Sequence, residues 1–229
     1  MSSMKQIALD IGLAPGPTLA NFFVGPNEVA FNHLRHWMAD ISRAATPVPT
    51  YLWGSEGSGK THLLLAVQTA LREQGATIGW LDASVQDPPE FDERWAAVVL
   101  DEVHLYDSEQ QYAAFNWFVN AQTSRCWVLA SGTLPPADLP LRDDLRSRLG
   151  WGHIFQLHML SEPERRGVLR QAAEARGVCL GDEVMDFMLT RFSRDLGSLM
   201  ELLNQLDRYA LQTKRGITIP LIKSMLENT

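Results

Sequence analysis

The feature that most constrains the fold of this chain is the glycine-rich octapeptide at residues 54–61, Gly-Ser-Glu-Gly-Ser-Gly-Lys-Thr. It fits the Gly-x4-Gly-Lys-Ser/Thr pattern, in which backbone N–H groups at the start of a helix wrap around phosphate groups. A short apolar strand at residues 51–53 precedes the octapeptide, and an apolar helix from His62 to about Gln74 follows it. Since the pattern requires both flanks, the sequence predicts a phosphate-binding loop between a strand and a helix.

The residue types in this loop indicate how it holds a nucleotide. Lys60 is expected to bind the outer phosphates with its ammonium group, and Thr61 to bind Mg²⁺ with its hydroxyl oxygen. The other positions contribute backbone N–H groups that face the phosphates. The predicted nucleotide contacts in the loop are Gly54, Gly57, Ser58, Gly59, Lys60 and Thr61.

A second motif, at residues 96–102, supplies acidic groups. Its sequence, Ala-Ala-Val-Val-Leu-Asp-Glu, predicts a buried strand that ends in two carboxylates. Asp101 is expected to hold the Mg²⁺ shell, and Glu102 to orient or activate the attacking water. Residues 101–104, Asp-Glu-Val-His, are also similar to the Asp-Glu-x-His (DExH) box of large helicases. Those helicases need two motor domains, which this chain cannot hold. We interpret His104 as an ordinary loop or core histidine.

Length and composition bound the class of protein. The 229 residues have room for one larger and one small domain, and a hydrophobic content of 45% with 21% charged residues is ordinary for a globular protein. No apolar run approaches membrane-spanning length, and the first residues do not form a signal peptide. Cys126 and Cys179 lack metal-ligand spacing and fit reduced thiols. These features predict a cytoplasmic protein that does not contact a membrane.

The net charge of −7 is unevenly placed along the chain. Residues 1–150 carry ten Lys and Arg against seventeen Asp and Glu, whereas residues 151–229 carry ten of each. A protein that binds duplex DNA needs clustered basic side chains to displace counterions from the phosphates. The sequence has no such cluster, so we expect no direct sequence-specific DNA binding.

Apolar, β-rich runs alternate with helical stretches from residue 27 to residue 157. Five strands that alternate with helices predict an α/β fold, a parallel sheet with helices on both faces. The predicted strands lie at about 51–54, 77–82, 96–101, 126–131 and 153–157, and the predicted helices at about 27–41, 60–74 and 109–123.

After the fifth strand the pattern becomes purely helical. Residues 161–164, Ser-Glu-Pro-Glu, form a capping box that begins a helix ending at Gly177. Further helical segments are predicted near 182–191, 195–214 and 220–227. The predicted organisation is an extended segment at residues 1–20, an αβα nucleotide domain at residues 21–160 and a small helical domain at residues 161–229.

A parallel αβα nucleotide domain followed by a helical lid resembles the AAA+ proteins. Residues 21–30, Asn-Phe-Phe-Val-Gly-Pro-Asn-Glu-Val-Ala, are similar to the segment with which bacterial replication initiators of the DnaA family wrap the adenine and ribose. An amphipathic entry to the first helix would explain the apolar residues but not the Val-Gly-x-Asn order. The resemblance implies that Phe23, Val24 and Asn27 contact the base, and that the cofactor is ADP or ATP with Mg²⁺.

Residues 145–152, Leu-Arg-Ser-Arg-Leu-Gly-Trp-Gly, are similar to the initiator motif that carries an arginine finger. The resemblance implies that Arg148 acts in trans on the γ-phosphate held by a neighbouring subunit. A structural salt bridge with Asp143 or Asp144 is the competing interpretation.

The end of the fourth predicted strand, at residues 131–136, is where the DnaA family places a polar residue that senses the γ-phosphate region. Ser131 or Thr133 fits this role.

Residues 6–11, Gln-Ile-Ala-Leu-Asp-Ile, resemble the peptide by which proteins dock on the bacterial sliding clamp. An extended peptide would place Leu9 and Ile11 in neighbouring apolar pockets, while the Gln6 amide forms hydrogen bonds at the rim. Alone, such a segment is better explained by an unstructured terminus or an edge strand. Combined with an initiator-like core that ends near Thr229, where an initiator continues into a helix-turn-helix domain, it resembles the Hda family.

The Hda resemblance implies a negative regulator of chromosomal replication initiation. Proteins of this family bind ADP, dock on the DNA-loaded sliding clamp of DNA polymerase III and promote ATP hydrolysis by the initiator DnaA. The implied partners are therefore the clamp and DnaA, and the clamp would bring this cytoplasmic protein to the nucleoid. One position departs from the initiator pattern, because the sequence places Gly197 where an initiator lid has an arginine, with Arg194 one turn upstream.

Two other functions stay open from the sequence. A stand-alone ATPase or small-molecule kinase would use Glu102 for turnover without partners, although no segment with clustered arginines for a second substrate is visible. A helicase-loader-like AAA+ protein would bind single-stranded DNA, which the acidic balance disfavours. Whether the chain forms a homo-oligomer, and whether it hydrolyses its own nucleotide, also stays open.

Overall fold

A computed structural model describes residues 16–40, 47–192 and 196–227 of the chain. The predicted clamp-binding residues Gln6, Leu9 and Ile11 lie outside the described residues, and so does Arg194.

The described residues form one five-stranded sheet in the order β2-β3-β4-β1-β5, and all neighbouring strands are parallel. This confirms the predicted fold class, and each strand is shifted by no more than one residue from its predicted place. The strands are β1 (Thr50–Trp53), β2 (Thr77–Leu81), β3 (Trp95–Leu100), β4 (Trp127–Gly132) and β5 (His153–Gln156).

Four helices of the described chain belong to the sheet domain and four to the helical lid that follows it. The first four are α1 (Glu28–Asp40), α2 (Lys60–Glu73), α3 (Ser108–Thr123) and α4 (Asp143–Leu149). The lid helices are α5 (Glu162–Ala175), α6 (Asp182–Arg191), α7 (Leu196–Thr213) and α8 (Ile219–Glu227). The sequence did not predict α4, because seven residues with only Leu145 and Leu149 as apolar anchors are too short to show a helical period.

The sheet is covered on both faces, as a parallel sheet requires. Side chains of β3 alternate between the two faces, so that Val98 and Leu100 join the core under α3 and α4, while Ala97 and Val99 join the core under α1 and α2. Large buried side chains of α3, chiefly Trp117, fill the first core. The central strands are therefore held from both sides, whereas most residues of the edge strand β5 are exposed.

The connection between β2 and β3 is held over the sheet by α3. The Gln110 side chain lies at the start of this helix, and its Nε2 donates to the carbonyl oxygens of Val85 at 2.8 Å and Ala83 at 3.2 Å. Trp117 Nε1 donates to the Pro89 carbonyl oxygen at 3.1 Å. These contacts fix the chain that leaves the carboxyl end of β2.

The lid has its own apolar core, formed by buried side chains that lie between Leu169 and Met225 in the sequence. The capping box predicted at Ser161 is present, since Glu164 accepts hydrogen bonds from the Ser161 N–H at 2.7 Å and from its hydroxyl group at 2.6 Å. Arg170 pairs with Asp182 at 2.8 Å and links α5 to α6 on the lid surface.

Across the described ranges, no helix combines the length and the apolar character needed to cross a membrane.

His33 packs at the contact between α1 and the edge strand β5. Its Nε2 lies 2.9 Å from the Thr50 hydroxyl oxygen, and its ring centroid lies 4.6 Å from that of His153 and 4.7 Å from that of Phe155. Burial, followed by the nearby His153 and His36, lowers the pKa of His33 from 6.5 to about 4. The folded protein therefore binds the proton of His33 less tightly than the unfolded chain does.

This difference predicts a loss of stability in mild acid. As the pH falls from 6.5 toward 4, the unfolded chain takes up a proton at His33 that the folded state resists, so the free energy of unfolding decreases. His33→Gln should flatten this dependence, as measured by urea denaturation at a series of pH values. The exposed His36, changed to Gln, is the control and should largely keep the wild-type slope. Equal slopes for wild type and His33→Gln would contradict the assignment.

Candidate nucleotide-binding site

The glycines of the phosphate-binding loop have conformations that side chains disfavour. Gly57 and Gly59 have φ angles of 74° and 94°, in the left-handed region, and Gly59 directly precedes the first residue of α2. A Cβ atom on Gly59 would also lie 2.8 Å from a ring carbon of Phe22. The loop thus follows the predicted strand-loop-helix arrangement, with its N–H groups at the start of α2.

Lys60 lies buried inside this loop. Its Nζ donates to the carbonyl oxygens of Gly54 at 2.8 Å and Ser55 at 2.9 Å. Burial lowers the pKa of Lys60, and the carboxylates of Asp101, Glu102 and Glu56 oppose that shift. The ammonium group is therefore held inside the loop in which the sequence predicts that it binds the outer phosphates.

The acidic pair lies at the carboxyl end of β3, close to the polar end of β4. The Ser131 hydroxyl group donates a hydrogen bond to Asp101 Oδ1, and the Glu102 N–H lies 3.1 Å from the same carboxylate oxygen. Ser131, one of two predicted phosphate sensors, thus orients the carboxylate of Asp101. Thr133, the other candidate, follows β4 and is half-buried.

Glu102 has a left-handed backbone, with φ 52° and ψ 42°. For a residue with a side chain this conformation costs on the order of 1 kcal/mol, and such strain is concentrated at functional sites. Hydrogen bonds from the Glu102 N–H to Asp101 and to Ser131 hold the backbone in place. These two hydrogen bonds link Glu102 to the carboxyl ends of β3 and β4.

A cavity of about 720 Å³ reaches one side of this site, and neither Ser131 nor residues 54–60 of the phosphate-binding loop are among the residues that line it. Thr61, Asp101 and Glu102 line its inner end, and it continues along α2 and past the carboxyl end of β2. The outer lining residues are Leu65, Gln68, Arg72, Trp80, Asp82, Ala83 and Ser84.

The residues present fit a Mg²⁺ ion with a nucleotide. The Thr61 hydroxyl and the Asp101 carboxylate supply the hard oxygen ligands that Mg²⁺ prefers, and they share one cavity. The buried Ser58 hydroxyl finds no hydrogen-bond partner among the described residues, which leaves a donor inside the loop for a phosphate oxygen. Within the same part of the chain, no cluster of three or more His, Cys, Asp or Glu side chains is able to hold a metal ion. A site of one carboxylate and one hydroxyl therefore needs phosphate and water oxygens to complete it.

Residues 16–27, which we call the strap, run from the start of α2 to the beginning of the lid. Phe22 packs over the phosphate-binding loop and stacks on Phe31, with ring centroids 5.8 Å apart. The predicted base contacts Phe23 and Val24 follow it and are half-buried. A Cβ atom on Gly25 would lie 2.6 Å from Leu160, just before the lid. The strap thus spans the distance between the loop and the lid.

Asn27 has a role that sequence reasoning missed. The residue is buried, and its Nδ2 donates to the His158 carbonyl oxygen at 3.0 Å while its Oδ1 accepts from the His158 N–H at 2.8 Å. The Asn27 amide, which was predicted to contact the base, therefore forms two hydrogen bonds with the chain between β5 and α5. We call this pair of hydrogen bonds the Asn27 clasp. Asn27 and His158 are 131 positions apart in the sequence, so no local sequence pattern predicts this contact.

Arg148 lies at the carboxyl end of α4, half-buried, and its Nη1 donates to Gln122 Oε1 at 2.6 Å. The two nearby carboxylates are engaged by other arginines, Asp144 by Arg142 at 2.7 Å and Asp143 by Arg146. The competing salt bridge from Arg148 to either aspartate is not formed in the described structure.

The topology separates Arg148 from the phosphate-binding loop. Arg148 precedes β5 and contacts the end of α3, so it lies at the edge of the sheet where the parallel strands begin. The loop follows β1 at the edge where the strands end. Strands of four to six residues place these edges about 13–20 Å apart.

The chain shares sequence with known proteins along nearly its whole length. A family model for the lid domain of Hda matches residues 162–226. An uncharacterized protein of Haemophilus influenzae is 34% identical over 234 residues, which covers 97% of this chain and 98% of that protein. The chain belongs to the Hda family.

Solved structures agree with this membership at the level of the fold. Domain III of the Thermotoga maritima replication initiation protein DnaA matches with a TM-score of 0.76 at 21% identity, over 95% of this chain and 98% of that one. AMPPCP-bound DnaA from Aquifex aeolicus matches with a TM-score of 0.71 at 21% identity, over 87% of this chain and 68% of that one. The RuvB Holliday junction branch migration motor of Thermotoga maritima matches with a TM-score of 0.62 at 18% identity, over 88% of this chain and 68% of that one. At these identities the likeness shows the fold alone.

The Asn27 clasp predicts a specific cost of mutation. Asn27→Ala leaves both backbone groups of His158 without their partner, which should lower the free energy of unfolding by about 1–3 kcal/mol. Urea denaturation measures this difference. Asn120→Ala is the matched control, because the exposed Asn120 amide bonds to the Asn116 carbonyl oxygen of its own helix, and its effect should stay within about 0.5 kcal/mol. Equal stability of Asn27→Ala and wild type would contradict the clasp.

Proposed function

We propose that this Hda-family chain is a negative regulator of chromosomal replication initiation, an ADP-bound adaptor that docks on the DNA-loaded sliding clamp and stimulates ATP hydrolysis by DnaA. The observation that carries the proposal is the position of Arg148. Its guanidinium group is paired with a neutral amide and lies at the opposite edge of the sheet from the chain's own phosphate-binding loop. Such a group suits chemistry on a nucleotide that another subunit holds.

The chain's own nucleotide is ADP or ATP with Mg²⁺. Backbone N–H groups of residues 57–61 and the Ser58 hydroxyl would bind the phosphates, and Lys60 would neutralise their charge. Thr61 and Asp101 would hold Mg²⁺, which offsets the negative charge of the phosphates. The shared fold of AMPPCP-bound DnaA supports this assignment. Phe23 and Val24 would cover the base.

Arg148 would act in trans as an arginine finger. A guanidinium group beside a γ-phosphate stabilises the charge that develops in the transition state. Its present partner, Gln122, is neutral, and a hydrogen bond of this kind contributes only about 1.5–3 kcal/mol. Since Arg142 and Arg146 occupy the nearby aspartates, Arg148 can turn toward a partner without breaking an ion pair with either of them.

Clamp docking would involve Gln6, Leu9 and Ile11, which lie outside the described residues. An extended peptide of this type adds apolar side chains to neighbouring pockets and keeps its amide at the rim. The adaptor would work in the cytoplasm and reach the nucleoid through the clamp. Hydrolysis of DnaA-bound ATP would then be restricted to places where clamps are loaded.

A second candidate, a stand-alone ATPase, rests on one observation. Asp101 and Glu102 are both present, and Glu102 lines the same cavity as Thr61. That arrangement also suits a water molecule attacking a nucleotide in this chain. Turnover without partners that is lost in Glu102→Gln would favour this candidate.

Arg148→Ala should reduce the stimulation of DnaA-bound ATP hydrolysis by about 10³-fold or more, which is the usual contribution of an arginine finger. The assay measures phosphate release from ATP-loaded DnaA with clamp loaded on DNA. Arg146→Ala is the matched control, because Arg146 lies on the same helix and is ion-paired to Asp143, and it should retain most of the stimulation. Loss of stimulation in both variants to the same degree would argue against a specific finger.

Gln6→Ala and Leu9→Ala should each weaken binding to the isolated clamp by at least about tenfold, because each removes one anchor of the peptide. Surface plasmon resonance with immobilised clamp measures this effect. The affinity for Mg²⁺-ADP should be unchanged in both variants. Clamp binding at wild-type strength by both variants would refute the docking assignment.

A further inference from the structure

His62 attaches the strap to the first turn of α2. Its Nε2 lies 3.0 Å from Asn21 Oδ1 and 3.2 Å from the Thr18 carbonyl oxygen. Both of these atoms are acceptors, so Nε2 carries the proton and donates to the strap. The imidazole ring also packs against Phe22, with ring centroids 5.5 Å apart.

The part of the strap that His62 contacts is folded on itself. The Thr18 N–H donates to Asn21 Oδ1 at 2.8 Å, and the Asn21 N–H donates to the Thr18 hydroxyl oxygen at 3.2 Å. Asn21 Nδ2 also donates to the Gly16 carbonyl oxygen at 3.0 Å. These bonds close a small turn. The hydrogen bonds from His62 to Asn21 and Thr18 therefore fix the position of this whole end of the strap.

The other end of the strap is fixed by the Asn27 clasp on His158. Phe23 and Val24, the base-side residues, lie between the two attachments. Since His62 directly follows Thr61 on the rigid first turn of α2, it relates the position of these residues to that of the phosphates. A site that must recognise a base and its phosphates together needs such a fixed distance.

We propose that His62 is a positioning residue that holds the base-side part of the strap against the phosphate-binding loop, and thereby gives the site its preference for adenine nucleotides over bare phosphate chains. The inference rests on the proposed nucleotide binding and names the residue that ties base recognition to phosphate recognition. His62 itself touches neither the phosphates nor Mg²⁺ in this assignment.

The test compares two probes, Mg²⁺-ADP and Mg²⁺-tripolyphosphate, by isothermal titration calorimetry. His62→Ala should weaken ADP binding by about tenfold, which corresponds to the loss of a well-placed hydrogen bond, and should leave tripolyphosphate binding unchanged. His62→Gln keeps an N–H donor and should recover most of the ADP affinity. His36→Ala, on the exposed side of α1, is the matched histidine control and should bind both probes like wild type.

A second variant tests the same contact from the strap side and covers the case in which His62→Ala does not fold. Asn21→Ala removes the acceptor without changing α2, and it should show the same selective loss of ADP affinity. The losses of the two single variants should be less than additive in the double variant, because the variants share the hydrogen bond between His62 and Asn21.

Three results would overturn the inference. The first is an equal loss for ADP and tripolyphosphate together with a lower melting temperature, which indicates a merely structural histidine. The second is unchanged ADP affinity in His62→Ala or in Asn21→Ala. The third is failure of the wild-type protein to bind ADP, which would refute the proposed nucleotide binding itself.

Discussion

The attachment of the carboxyl end of β1 to its two neighbours determines the rest of the site. The Gly54 N–H donates to the Gly132 carbonyl oxygen of β4 at 3.2 Å, and the Leu157 N–H after β5 donates to the Trp53 carbonyl oxygen at 2.6 Å. A Cβ atom on Gly54 would lie 2.2 Å from the Leu157 carbonyl oxygen, so only glycine permits this approach. These contacts bring the phosphate-binding loop, the polar end of β4 and the chain leading to the lid to one edge of the sheet.

The same edge carries the groups that are predicted to bind a nucleotide. Asp101 and Glu102 end β3, Ser131 ends β4, and the strap joins the loop to the chain before the lid through Phe22 and Asn27. A ligand between the loop and the strap would therefore contact elements that lead directly to the lid. The opposite edge holds Arg148, so in the proposed function recognition of the chain's own nucleotide and action on another nucleotide would occupy different ends of the same strands.

The local parts of this architecture could be predicted from the sequence because each has a local cause. The phosphate-binding loop, the acidic end of β3, the strands and the Ser161 capping box all depend on residues within a few positions of one another. The contacts that organise them could not be predicted. The clasp between Asn27 and His158 joins residues 131 positions apart, and the bond between Arg148 and Gln122 joins residues 26 apart. Neither pairing follows from the hydrophobic periodicity of the sequence. A polar side chain at either position could form hydrogen bonds with several different partners, and the sequence does not distinguish between them.

In the proposed function, this chain binds a nucleotide at its own loop but acts on a nucleotide held by DnaA. A single-turnover experiment tests this most directly, with unlabelled ADP on this chain, γ-labelled ATP on DnaA and clamp loaded on DNA. We expect rapid release of label in this mixture and, in a separate assay, negligible turnover of free ATP by this chain alone. Slow release of label beside fast, partner-independent turnover would contradict the proposed function and identify the chain as an ATPase in its own right.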